Sequence, residues 1–444
     1  MEWNGFPNNG SYRESDLPVS NTIASSHPSL AAANLGAAAS PEAKRSPRWS
    51  HTISVQLFLL AIFCIPVQLE VPAVRAVLRS RFAPGDLFLA LSVILAPASF
   101  RLIRRPLGYL PLALPLTLAY GAVISLTLQG YLTSHALNVK IFGSVVILVM
   151  AIVTMAYAYE GFAVRIIRAF LYGIGFWGII GYIDWRVADI FPWLEVDVES
   201  RFGALQFDPN NTGAAFSVAL LMSWRYGNRV FTRRWVWIAM TIMFAIGLGL
   251  TLSRGAYIGT AAAVLVILIV DHISAERWVR YLVSSVVIVA FLFATGFVNT
   301  AVDDFTRRPD TVESRGGFVD ISVDRWVDSR GLGMGLGVFR AETGRIVHNT
   351  SIWLVTEMSL PGLLLFLAVV IVPASAALRL RRYDHELAMA LLASHTAIVV
   401  ASVGIEAMYQ RTWWMVIALT MMPAAAIRRS RHEADTKPPS NDAS

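Results

Sequence analysis

Cysteine is nearly absent from this chain. A single one, Cys64, occurs in 444 residues, which excludes a disulfide framework and a cysteine-built metal site within one chain. Charge is scarce too. Only 15% of residues are charged, against about a quarter in soluble domains. The low charge and the mean hydropathy of +0.55 exclude an ordinary soluble enzyme. No apolar core segment stands near the start, so residues 1–50 are not read as a secretory signal. They are rich in Ser, Ala, Asn and Pro without apolar periodicity, and are expected to form a disordered cytoplasmic tail. No cysteine–histidine cluster or nucleotide-binding motif calls for a metal or cofactor.

What is present is hydrophobic sequence. Apolar residues make up 55% of the chain, in runs of about 15 to 25, the length that crosses a hydrocarbon core of about 30 Å. The expected fold is an all-α, polytopic integral membrane protein of about twelve spans. These lie near 53–70, 84–100, 107–128, 141–158, 166–184, 212–224, 236–252, 255–271, 281–299, 350–378, 387–405 and 412–427. The sixth is the least apolar. The 37 basic residues are almost all Arg. In a soluble protein they would suggest nucleic acid; here they mark topology, because inner-side connections collect Arg and Lys. With the N-terminus inside, every inner connection is basic: Arg101, Arg104 and Arg105; Arg165 and Arg168; Arg225, Arg229, Arg233 and Arg234; Arg277 and Arg280; Arg379, Arg381 and Arg382. Arg75, Arg79 and Arg81 fall outside as an exception. The tail 428–444 is expected to be cytoplasmic. A long basic segment, 300–349, is expected as a loop on the outer face, where its charge attracts anions.

Several polar residues interrupt this pattern. Arg254 is the only charged residue among the 35 from Val236 to Val270. One helix of that length would be about 52 Å long, so the segment must fold back, with Ser253-Arg254-Gly255 as the turn. A charge near membrane depth is costly unless partnered and is a candidate for function; the plainer reading is an interfacial Arg. Arg201 precedes Asp208-Pro209-Asn210-Asn211, which reads as a helix start with Asn210 or Asn211 as its cap. Four alternating glycines, Gly331 to Gly337, indicate a flexible or closely packed backbone; a nucleotide loop is disfavoured, since no Walker lysine follows. His348 stands where the basic segment becomes an apolar helix. Asn349, Thr350 and Ser351 beside it are capping candidates. Glu357 lies about 13 Å into that helix by rise, and Pro361-Gly362 is expected to kink it. Glu406, Tyr409 and Arg411 read as lining the same cavity or as interfacial anchors, and His272, His385 and His395 as incidental.

In order, these motifs resemble the O-antigen ligase and Wzy-type polysaccharide polymerase superfamily. The pattern is Arg201 with Pro209-Asn210, then Ser253-Arg254-Gly255, then Arg315 with Gly333 to Gly337, and last His348-Asn349, Glu357 and Ser359-Leu360-Pro361-Gly362. In the last motif Ser359 stands where the family has Gly. The similarity covers residues 200 to 370. It implies a membrane glycosyltransferase that needs neither metal nor cofactor, in the bacterial inner membrane with both termini cytoplasmic. The implied partners are an undecaprenyl-pyrophosphate-linked glycan donor, a sugar hydroxyl acceptor, the lipid bilayer and polysaccharide export machinery, with no nucleic acid. His348 would deprotonate or orient the acceptor hydroxyl. Arg201, Arg254 and Arg315 would hold the pyrophosphate, with Asn210, Asn349 and Glu357 completing the site. Polymerase is favoured slightly over ligase. The alternative is a transporter or flippase of a lipid-linked saccharide, which would be expected to show internal repeats with interrupted helices.

Overall fold

The computed structural model describes residues 49–67, 83–95, 110–186, 202–203, 208–271, 310–344 and 347–422. Every regular element among them is helical. In chain order the helices are α1 (Trp49–Phe63), α2 (Pro84–Leu95), α3 (Leu110–Gln129), α4 (Phe142–Tyr159), α5 (Ala163–Arg186), α6 (Pro209–Val230) and α7 (Arg234–Leu250). They continue as α8 (Arg254–Val270), α9 (Asp310–Asp328), α10 (Val338–Thr343), α11 (Thr350–Leu380), α12 (His385–Ala401) and α13 (Arg411–Thr420). A π-helical turn, Ala136–Ile141, leads into α4, and a 3-10 turn, Ala407–Tyr409, precedes α13. Long apolar runs satisfy all their backbone groups internally only as helix, which accounts for the fold class.

Three helical stretches are long and apolar enough to cross a membrane: Val139–Tyr159, Ala163–Arg186 and Thr350–Leu380, at mean hydropathies of 2.4, 1.6 and 2.4. Six further apolar helices, α1, α2, most of α3, α7, α8 and α12, have 10–17 residues. Each expected span from the first to the eighth, and from the tenth to the twelfth, overlaps a described helix. The expected span 281–299, the tails 1–48 and 428–444 and Arg201 lie outside the described residues.

Helix α12 is the hub of the packing, touching α8, α6, α11 and α13. Its buried face carries Ala388, Ala390, Ala393, Ala397 and Ala401. Small residues let backbones approach closely where lipid gives helices no hydrophobic reason to associate. Gly259 of α8 shows how close: a Cβ there would lie 2.3 Å from the Ala397 carbonyl oxygen. His395, also on α12, is not incidental. Its Nε2 donates to the Val370 carbonyl of α11 (2.9 Å), and its Nδ1 accepts from the Trp413 indole of α13 (3.1 Å). It therefore ties three helices with both ring nitrogens satisfied. At one end of the bundle Asp271 pairs with Arg225 (2.9 Å) and His385 (3.0 Å), and Arg229 with Glu386 (3.5 Å).

Two expectations need correction, and the expected kink in the histidine-led helix is present but begins two residues early. The segment 300–349 is more than a loop: among its described residues it holds the 19-residue helix α9 and the short α10. Val319, Val323, Trp326 and Val327 of α9 are exposed and recur at helical spacing, a pattern masked in the sequence by Asp320, Asp324 and Asp328. The sixth expected span is far longer than 212–224. It is the 22-residue α6, which gains Pro209, Asn210 and Asn211 at its start and the polar stretch Arg225 to Val230 at its end. The break in α11 falls at Ser359 (φ 50, ψ −136), two residues before Pro361. Pro361 has no N–H for the Glu357 carbonyl four residues back, and its ring crowds that carbonyl, so the chain departs from helix ahead of it.

Candidate functional site

The break in α11 creates the first half of the site. It leaves carbonyls of the preceding turn without helical donors, and the glycine-rich segment supplies them. The Met334 N–H donates to the Thr356 carbonyl (2.9 Å) and the Gly335 N–H to the Glu357 carbonyl (3.0 Å). The Leu336 N–H reaches the Gly121 carbonyl of α3 (3.1 Å). Gly335 has φ +96, and a Cβ there would meet Ser125 Oγ at 2.5 Å, so the position needs glycine for both conformation and space. Ser359 closes the seam: its hydroxyl donates to the Gly331 carbonyl and accepts from the Trp326 indole of α9 (3.1 Å). A glycine at 359 would lack both bonds.

Glu357 is buried, with 2% of its surface exposed. Its carboxylate accepts from the Gly337 N–H (2.8 Å) and faces Lys140, which is equally buried. Lys140 pairs with Glu406, which stands just before the 3-10 turn. The ammonium also lies 3.9 Å from the Trp353 ring centroid and 4.8 Å from that of Tyr409, within cation–π range of both. Sequence reasoning missed Lys140. The available signal was its rarity: it is the only lysine between Lys44 and Lys437. Just outside the span beginning at Val139, Arg340 Nη1 donates to His135 Nδ1 (3.1 Å). Burial, with Lys140 and Arg340 nearby, lowers the His135 imidazole pKa to about 3.

The second half of the site is a gathering of helix starts. Asp208 caps α6, accepting from the Asn210 N–H (2.8 Å), with Pro209 as the first helical residue. The cap expected from Asn210 or Asn211 is thus made by Asp208, and both asparagine side chains bridge to other elements. Asn210 Oδ1 accepts from the Ser253 hydroxyl (3.1 Å), while Ser253 caps α8 by accepting from the Ala256 N–H (3.4 Å). Asn211 Oδ1 accepts from the Gln410 amide (2.7 Å), and Gln410 begins α13. Asn349 caps α11 through the Ile352 N–H (3.1 Å). Next to it Thr350 donates from its N–H to Ser402 (2.9 Å) and from its hydroxyl to Ile405 (2.8 Å), and the hydroxyl accepts from Ala407 (2.8 Å). Gly255, in the first turn of α8, rests on Ala401. The starts of α6, α8, α11 and α13 therefore meet around the end of α12. Each carries the partial positive charge of a helix N-terminus, so together they favour an anion.

Among the expected site residues, Arg254 is half-buried and is the first residue of α8. His348 is exposed, one residue before the cap of α11. Asn210 joins the starts of α6 and α8, and Asn349 serves as a cap. Glu357 lies within the Lys140 cluster. Arg315 belongs to α9, but its side chain lies outside the described part. Arg411 is held by Asp86 of α2 through two bonds of 2.8 and 2.6 Å, which ties α2 to the start of α13. No protein-family model and no curated protein matches this chain.

Proposed function

We propose that the protein is a membrane glycosyltransferase of the O-antigen ligase and Wzy polymerase kind. It would transfer a glycan from undecaprenyl pyrophosphate to a sugar hydroxyl on the outer face of the bacterial inner membrane. The reading takes the chain to cross about twelve times with both termini inside, which places the gathered helix starts outside. The observation that carries it is that gathering, with half-buried Arg254 at one start and exposed His348 beside another. In the reaction the acceptor oxygen bonds to the anomeric carbon, and the bond from that carbon to the pyrophosphate oxygen breaks. The leaving pyrophosphate keeps the electron pair and the acceptor hydroxyl loses its proton. His348 receives or orients that proton. The helix starts and Arg254 stabilise charge growing on the leaving group, as Arg201 and Arg315 would also do. A polymerase is favoured slightly over a ligase. The product would enter a surface polysaccharide and its export machinery.

The test uses the full chain in vesicles with a lipid-linked oligosaccharide donor and a glycan acceptor. His348→Ala should abolish transfer and leave donor binding intact, while Arg254→Ala should weaken donor binding. Normal transfer by the His348 variant would remove His348 from the reaction. Movement of the donor across the bilayer without transfer would favour a flippase.

A further inference from the structure

We infer that Lys140 is a positioning residue for this site, clamping together the three segments that set where His348 stands. The inference rests on the glycosyltransferase reading, but the contacts that motivate it are independent of that reading. Lys140 occupies the π-helical turn Ala136–Ile141. Such turns widen a helix by one residue and occur often at functional sites; here Lys140 lies within the bundle, 2% exposed. Two segments converge on its ammonium, and the glycine-rich segment is tied to one of them. Glu357 approaches from the broken helix α11, carrying with it the glycine-rich segment through the Gly337 N–H. Glu406 approaches from the connection between α12 and α13. Trp353, one turn into α11, and Tyr409 form the aromatic walls.

The two residues flanking Glu406 hold the start of α11. The Ile405 carbonyl accepts from the Thr350 hydroxyl, and the Ala407 N–H donates to it. Thr350 is two residues from His348. The path from the ammonium to His348 is therefore Glu406, its neighbours, Thr350 and the Asn349 cap. The other charged groups near Lys140 are Glu357 and Arg340, with His135 bonded to Arg340. Removing the ammonium would take the shared cation from buried Glu357 and from Glu406, which is 15% exposed, so both segments would shift apart.

The test compares Lys140→Met, Lys140→Arg and Glu406→Gln in the full chain in vesicles. Hydrogen exchange is followed at the Gly337 and Ala407 amides and at reference amides in the middle of α12. Transfer is measured in parallel. In Lys140→Met the Gly337 and Ala407 amides should exchange at least about tenfold faster while the reference amides hold. Transfer kcat should fall about 100-fold, as for a small misplacement of a reacting group, with donor KM within about twofold. Lys140→Arg keeps the charge and should restore protection and about a tenth or more of the rate. Glu406→Gln should loosen the Ala407 amide more than Gly337, and it decides the matter if Lys140→Met does not fold. Unchanged exchange at both amides, or equal loosening of the reference amides, overturns the inference. If the unmodified protein transfers no glycan, the function proposed above fails while the exchange measurements still decide the role of Lys140.

Discussion

Replacing Gly335 by Ala tests the docking of the glycine-rich segment most directly. Two costs add at this position. Gly335 has φ +96, where an L-residue is strained by about 1–2 kcal/mol. Its Cβ would also stand 2.5 Å from Ser125 Oγ and 2.7 Å from Ser125 backbone atoms. The backbone of α3 has little room to yield, and overpacking of this kind costs about 1–3 kcal/mol. The expected loss is about 2–5 kcal/mol. Two other glycines separate the terms. Gly344 has φ +69 with nothing within 4 Å of a Cβ, so Gly344→Ala should cost only the conformational part, about 1–2 kcal/mol. Gly317 lies exposed within α9 with open space around it, so Gly317→Ala should be neutral or stabilising by about 0.5–1 kcal/mol. The assay is thermal or denaturant unfolding in mixed micelles for the three variants side by side. If Gly335→Ala is no more destabilising than Gly344→Ala, the close docking of this segment on α3 is refuted.

Asn349→Ala should cost about 1 kcal/mol of stability through the lost cap on the Ile352 N–H, read in the same unfolding assay; a change below about 0.3 kcal/mol would argue against the cap. His135 gives a pH dependence. Its folded pKa, about 3, lies below its unfolded value, so the unfolded chain binds more protons between about pH 3 and 6.5. Its contribution is full above about pH 6.5 and declines as pH falls toward 3. His135→Gln should therefore narrow the drop in melting temperature between pH 7 and pH 5, and an unchanged drop would remove His135 as a cause.

The sequence made the helices legible because their apolar runs are long, and the turn at Ser253-Arg254-Gly255 because no single helix of that length fits a bilayer. Asn349 as a cap and Glu357 as a partnered carboxylate also followed from local rules. Helix α6 was foreshortened because its first turn, Pro209-Asn210-Asn211, and its last turns, with Arg225, Asn228 and Arg229, are too polar to extend an apolar run. Helix α9 was hidden by aspartates interleaved with its apolar stripe. The cap of α6 was assigned two or three residues late, since Asp208, Asn210 and Asn211 share the same capping chemistry and only the contacts of Ser253 and Gln410 separate their roles. Lys140 was missed for a different reason. Its partners lie 217 and 266 residues away, and no local pattern reports a pairing that tertiary structure alone creates.

The seam between the glycine-rich segment and the break in α11 also bears on how the protein is made. Residues 331–337 leave the ribosome before α11 does, and the Met334, Gly335 and Gly337 amide hydrogens then lack the acceptors that α11 gives them in the finished fold. When α11 arrives, its Thr356 and Glu357 carbonyls and the Glu357 carboxylate need the donors of that earlier segment. Gly121 and Ser125 of α3 must be waiting as well, because the segment is wedged between the two helices. Neither partner satisfies its backbone groups alone, so each completes the other only once both are in place. A chain in which the two had not met would hold an unfinished polar breach in α11, with the Thr356 and Glu357 carbonyls lacking donors.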